Sequence, residues 1–150
     1  MKRCVFFLII VFAYLISFSQ ENIVEWKTSV SRIDDGSYNL VINADIDSDW
    51  YIYGMNIGEG GPLPLEFSIE DSENKVFTFS FSEISVADKM FDDVFGMDVM
   101  SYTHKADFKC NFMLKKDITK LNVIIEGQAC NKKNGMCIQI SENISCEIFE

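Results

Sequence analysis

Two cysteines sit close together on a polar stretch, "GQACNKKNGMCIQIS", residues 127–141. Cys130 and Cys137 are separated by six residues, of which four are Asn or Lys and one is Gly. Thiols so placed can form a staple, ligate a metal, or be oxidised and reduced in turn. The metal reading is the weakest. His104 is the only histidine, and two thiolates with one imidazole leave a tetrahedral zinc shell incomplete. His104 falls in an expected turn as a solvated residue, so a Ser-His-Asp triad has no support either. No metal and no cofactor are expected.

The residues around the pair say how it is held. Ile124 and Ile125 lead into the first cysteine, and Ile138 and Ile140 follow the second. Two strands joined by a polar loop with a glycine make a hairpin. Facing residues of a non-hydrogen-bonded antiparallel pair have Cα atoms about 4.5 Å apart, a separation that a disulfide accepts. Cys130 and Cys137 can therefore bond across the base of the loop. On the chain-entropy model so small a ring stabilises by only about 2.5 kcal/mol, against roughly 3.8 kcal/mol for a bridge from Cys110 to Cys146. A staple alone would be better placed on the longer loop. Cys110 and Cys146 each fall on the apolar side of an alternating run and read as small core residues with inert thiols. A bridge between them is the other possibility.

The elements that position the pair are strands. Apolar residues alternate at Tyr38, Leu40, Ile42, Ala44 and Ile46, and again at Ala106, Phe108, Cys110, Phe112 and Leu114. Shorter sets are Leu65, Phe67, Ile69; Phe77, Phe79, Phe81; Leu121, Val123, Ile125; and Ile144, Cys146, Ile148. Val24, Trp26 and Val30 mark a first strand. Period two in many short runs means strands with one buried face. Turn formers bound them at 34–36, 47–49, 58–64, 71–74 and 116–117. The expected fold is all-β, a single immunoglobulin-like antiparallel β-sandwich. Three glycines and two prolines in "GEGGPLP", residues 58–64, give an exposed connection that could form a rigid rim beside a site.

Lys2 and Arg3 followed by the apolar run from Val5 to Ile16 and by Ser17-Phe18-Ser19 read as a secretory signal peptide, cleaved after Ser19. The domain is then residues 20–150, exported to the periplasm or secreted, where disulfides are permitted. Without Lys2 and Arg3, 11 basic residues face 23 acidic ones, a net charge of −12. That argues against nucleic acid or an anionic membrane as partner. No later segment is long enough to span a bilayer.

Four stretches together resemble one family, the N-terminal periplasmic domain of the thiol:disulfide interchange protein DsbD. "ADIDSDWYIYG" (44–54) is similar to its strand with an aromatic-x-aromatic pair, here Tyr51 and Tyr53. "EGGPLPLEF" (59–67) is similar to the segment that follows. "FDDVFGMDV" (91–99) resembles its acidic-aromatic cap loop, and "ACNKKNGMC" its active-site cysteine hairpin. The order is right, and the likeness covers nearly the whole chain after Ser19. The resemblance implies an immunoglobulin-like sandwich that carries reducing equivalents outside the cytoplasm. It implies that Cys137 forms the mixed disulfide with partners and Cys130 resolves it. A cap aromatic, Phe95 by position or Val94 if the match shifts by one, would shield the pair. Tyr51, Tyr53, Asp92 and Asp93 would line the site. Partners would be thioredoxin-like redox proteins or a separate membrane electron donor, since no membrane or thioredoxin-like domain follows in this sequence. Two features depart from the family pattern. Six residues separate the cysteines where fewer are usual, and Ile138-Gln139-Ile140 stands where prolines often follow the second cysteine. The competing class is a secreted, non-enzymatic binding module in which the bridge only holds a loop. Lys132 and Lys133 are expected to favour a thiolate, and Asp92 and Asp93 to oppose it.

Overall fold

The alternation from Tyr38 to Ile46 is realised residue by residue: each even position is buried and each odd one half-exposed. In a computed structural model, residues 22–70, 76–114 and 118–148 are described. Ten strands follow in order: β1 (Val24–Asp34), β2 (Ser37–Ile46), β3 (Trp50–Tyr53), β4 (Glu66–Glu70), β5 (Val76–Glu83), β6 (Asp88–Asp92), β7 (Met97–Tyr102), β8 (Lys105–Leu114), β9 (Lys120–Asn131) and β10 (Cys137–Glu147). The smaller sheet runs β1-β2-β8-β5 and the larger β10-β9-β3-β7-β6, with β4 also paired to β9. All these pairings are antiparallel. The fold is the expected immunoglobulin-like β-sandwich.

The core lies where the inner faces meet. Leu40, Ile42, Phe108 and Cys110 from the smaller sheet face a layer that includes Ile52, Val123, Ile125 and Ala129, all with no exposed surface. Phe67 ties the layers together, with its ring centroid 4.8 Å from Phe108 and 6.2 Å from Trp26. Burying a side chain of this size contributes about 1.5–3 kcal/mol, so this inner layer dominates stability.

Several expectations fall differently. Strands β6 and β7 were legible only as a loop, because their alternation is short and carries charge. β5 is irregular at its start, and of its odd-numbered residues Phe81 packs against the core. The pairing with β8 shifts between Val76 and Thr78, Val76 is buried, and Phe79 is left 46% exposed. A bulge of this kind rotates one stretch of strand against the next. The expected turns at 71–74 and 116–117, and the signal segment, lie outside the described residues. His104 does sit in a turn, exposed, with φ 64°.

β9 changes partner along its length: residues 122–126 pair with β4, and 129–131 pair with β3. The chain between β3 and β4 leaves the sheet and returns, closed at its base by Leu65 N–H donating to Gly54 O at 3.0 Å. Gly127 sits at the change-over. A Cβ there would lie 3.1 Å from Leu65 Cδ1, 3.2 Å from Leu65 Cα and 3.4 Å from Pro64 O. Two of those three atoms are backbone and cannot swing away. Gly127→Ala should therefore lower stability by about 1–3 kcal/mol. Urea unfolding followed by intrinsic fluorescence should show a lower midpoint at unchanged slope, and an unchanged midpoint would refute the close approach.

Candidate functional site: a cysteine hairpin on the outer sheet face

β3 reads Trp50-Tyr51-Ile52-Tyr53, aromatic or aliphatic on both faces. Side chains alternate across a strand, so Trp50 and Ile52 point into the sandwich and the two tyrosines point out. Register carries the outer face across the sheet. Tyr51 opposes Cys130, Cys130 opposes Cys137, Tyr53 opposes Ser101, and Met90 opposes Val99. The result is a second, smaller apolar cluster outside the main core. Tyr53, Val99 and Cys130 are buried in it, with Tyr51, Ile57, Met90 and Met97 packed against them. The 58–64 segment forms its rim. Gly58 and Gly61 admit Met97, whose Cε and Sδ would lie 3.0 and 3.1 Å from added Cβ atoms. Leu63 N–H donates to Gln128 Oε1 at 3.2 Å.

Cys130 and Cys137 are joined by a disulfide across the base of the hairpin, with Cα atoms 4.1 Å apart. Their surroundings differ sharply. Cys130 is 1% exposed, whereas Cys137 stands exposed on the edge strand. Cys110 and Cys146 are unbridged and buried. Burial pushes the Cys110 thiol up to about 11 and raises Cys146 as well. Thiols so suppressed and enclosed take no part in exchange at neutral pH.

Tyr53 connects the buried sulfur to the β6–β7 turn. Its Oη lies 3.6 Å from Cys130 Sγ. Its hydroxyl donates to Asp92 Oδ2 at 2.6 Å, and Tyr51 Oη is 3.3 Å away. Burial, then the bond to Asp92, raises the Tyr53 pKa, so the phenol keeps its proton. Asp92 is itself 4% exposed. Its other oxygen, Oδ1, accepts from the N–H groups of Val94 and Phe95 at 2.9 and 3.2 Å. One carboxylate thus holds both Tyr53 and the turn. Phe95 is half-buried on this turn and lies outside the cluster around Cys130. Val94 is 84% exposed, and Asp93 is exposed.

The lysines do something other than expected. Lys132 Nζ donates to Ser48 O at 3.0 Å. Lys133 Nζ pairs with Asp49 Oδ2 at 2.6 Å, a contact that raises the Lys133 pKa. Both ammonium groups are committed to the β2–β3 turn, so neither is positioned to stabilise a thiolate. Among the described residues, no group of three or more His, Cys, Asp or Glu side chains is arranged to hold a metal. Sequence reasoning missed Gln128, Met90, Met97 and Val99. Gln128 Nε2 points at Cys130 Sγ from 3.9 Å. The missed signal was the period-two set Met97, Val99, Ser101, interrupted by Asp98 and by the apolar Met100.

A β-sandwich that carries one exposed and one buried sulfur on an outer-face hairpin is a scaffold for thiol chemistry. The family model for the N-terminal domain of the thiol:disulfide interchange protein DsbD matches residues 19–145, and the chain belongs to that family. Comparison with curated protein sequences found no match. Among solved structures, the N-terminal periplasmic domain of ScsB from Proteus mirabilis is similar at 14% identity and TM-score 0.67. That likeness covers 88% of this chain and 49% of the ScsB chain, so the protein spans about half the length of that relative. The reduced DsbD N-terminal domain of Neisseria meningitidis is similar at 16% identity and TM-score 0.47, over 87% of this chain and 90% of that one. The complex of the same bacterium's DsbD and PilB N-terminal domains gives 16% identity and TM-score 0.47, over 90% and 89%.

Proposed function

We propose that this protein is a periplasmic or secreted thiol–disulfide exchange protein that passes reducing equivalents between thioredoxin-like partners through Cys130 and Cys137. Residues 1–19 act as the export signal and are removed, leaving 20–150 as the working domain. The observation that carries the reading is the unequal exposure of two bonded sulfurs. A structural staple gains nothing from presenting one sulfur to solvent, whereas exchange needs one sulfur to be attacked and one to leave.

In the reductive direction a partner thiolate attacks Cys137 Sγ in line with the S–S bond. A Cys137–partner bond forms and Cys130 leaves with the bonding electron pair and takes up a proton. The Tyr53 hydroxyl already donates its hydrogen bond to Asp92, so its oxygen is free to accept from the new Cys130 S–H. The partner's second thiolate then attacks the mixed disulfide and Cys137 leaves and is protonated. Two electrons and two protons have moved to this chain, and the partner holds a disulfide. The reverse sequence reduces an oxidised partner, with Cys137 as nucleophile and Cys130 as the resolving thiol. The β6–β7 turn acts as the cap, with Phe95 as its aromatic and Val94 at its tip, and it moves aside on docking. Tyr51, Tyr53, Asp92 and Asp93 line the site.

The test is incubation of the oxidised protein with a reduced thioredoxin-like protein, followed by a thiol trap and intact-mass measurement. Two traps should be gained, on Cys130 and Cys137, at a potential above about −300 mV, where structural bridges resist reduction. A bridge inert to all such dithiols would favour the binding-module reading. The same trap reads the cap: Phe95→Ala should speed alkylation of the reduced pair, and an unchanged rate removes Phe95 from that role.

A further inference from the structure

The six-residue loop between the cysteines is held unequally. Its first half is fastened to the β2–β3 turn. Lys132 N–H donates to Asp49 O at 2.8 Å, Lys132 Nζ donates to Ser48 O at 3.0 Å, and Lys133 Nζ meets Asp49 Oδ2 at 2.6 Å. The turn is itself ordered. Asp49 N–H donates to Asp47 Oδ1 at 2.9 Å, Trp50 N–H to Asp47 O at 3.0 Å, and Asp47 N–H to Ile23 O at 2.9 Å. Among the described residues, the second half is held from within the loop. Gly135 N–H donates to Asn131 O, Met136 N–H to Asn134 Oδ1, and Asn131 N–H to Met136 O. Asn131 Oδ1 caps the bend by accepting from the N–H groups of Lys133 and Asn134.

We infer that Asp49 is a positioning residue for the redox pair: by holding Lys133 through its carboxylate it keeps the loop closed after the S–S bond opens and so tunes the stability of the disulfide. This rests on the exchange reading above and adds a residue outside the hairpin to it. When the bond is reduced, its covalent closure of the loop is lost. With Asp49 in place, the first half stays docked, Cys130 stays under Tyr53, and only the short segment from Asn134 to Cys137 is released. Cys137 then remains at high effective concentration beside Cys130, which favours re-formation of the bond. Without the Asp49 carboxylate, Lys132 stays on the backbone oxygens of Asp49 and Ser48, but Lys133 and the segment after it gain freedom in the reduced state, and the dithiol becomes the more favoured form.

The experiment is equilibration of wild-type protein and Asp49→Asn with graded dithiothreitol. The reagent's two thiols supply two electrons and two protons and close to a cyclic disulfide, and trapped mass reads the reduced fraction. Asn keeps the volume and the backbone carbonyl but removes the charge that Lys133 meets. At low salt the constant for reduction should rise about three- to fivefold in the variant, a shift of roughly 14–21 mV toward easier reduction. The ion pair is exposed, so raising salt from about 0.05 to about 1 M should move the wild type toward the variant and leave the variant nearly still. Asp49→Lys combined with Lys133→Asp should restore part of the wild-type constant. Equal constants at low salt, or a salt-indifferent wild type, would overturn the inference. So would equal lowering of the melting temperature in both redox forms with the constant unchanged, which marks a plain fold contact. A wild-type bridge that dithiothreitol reduces only below about −300 mV would instead sink the exchange reading itself, whatever Asp49 does.

Discussion

Cys130→Ala should convert a passing mixed disulfide into a stable one. With the resolving thiol gone, and with the partner's own second cysteine replaced so that it cannot attack back, the bond between Cys137 and a thioredoxin-like partner has no internal route to release. The adduct should persist for minutes to hours, the time scale of uncatalysed disulfide rearrangement. It should appear as a single band or mass that dithiothreitol dissolves. Cys137→Ala should behave oppositely. The remaining thiol is Cys130, 1% exposed beneath Tyr53, and a partner can reach it only when the site opens. An opening that costs about 2.8 kcal/mol slows capture roughly a hundredfold. Equal capture by the two variants would remove the assignment of Cys137 as the attacking thiol, and preferential capture by Cys137→Ala would reverse it.

Asp92→Asn should speed resolution of the mixed disulfide. In the native site Asp92 accepts the Tyr53 hydrogen at 2.6 Å, so Tyr53 cannot also donate to sulfur. An asparagine can keep Oδ1 on the Val94 and Phe95 amides while presenting an N–H to Tyr53. The phenol must then accept from residue 92, and its own hydrogen turns to Cys130 or Tyr51. A hydrogen bond to an ionised group is worth about 1.5–3 kcal/mol. The better-stabilised thiolate is also a weaker nucleophile, which returns nearly half of that gain. The net rise in resolution rate is roughly four- to fifteenfold, read by stopped-flow quenching of intrinsic fluorescence. Tyr53→Phe provides the contrast. It strips Asp92 Oδ2 of its donor, which costs about 1–3 kcal/mol of stability or more for a charged group, and it offers sulfur no donor. If Asp92→Asn and Tyr53→Phe alter the resolution rate alike, the direction of the Tyr53 bond is not what matters.

The two asymmetries behind these expectations were unequally legible. That the cysteines pair followed from two apolar strands around a polar, glycine-containing loop. That one sulfur is buried did not follow, because both positions lie on the same outer face. What separates them is neighbourhood: Cys130 is flanked by β3 and β10, whereas Cys137 is on the last strand of the sheet. The lysines show the same limit. Two cations beside two thiols suggest thiolate stabilisation, yet their charges are directed to Asp49 and Ser48, more than 80 positions earlier in the chain. The stretch 91–99, read as a loop, is the β6–β7 hairpin. Its hairpin form was hidden, since β6 and β7 are short and their exposed faces are charged.

Residue order alone determined the all-β class, the buried stripe on β2, β8 and β9, and a hairpin across which Cys130 and Cys137 can bond, because strand periodicity and hairpin closure are local. Only the tertiary structure decided which sulfur meets solvent, which groups Tyr53 and Asp92 join, and where the lysine charges go. Those depend on β3 pairing beside β9 and on the β6–β7 turn folding back over the same face, contacts between segments far apart in the chain that no local pattern encodes.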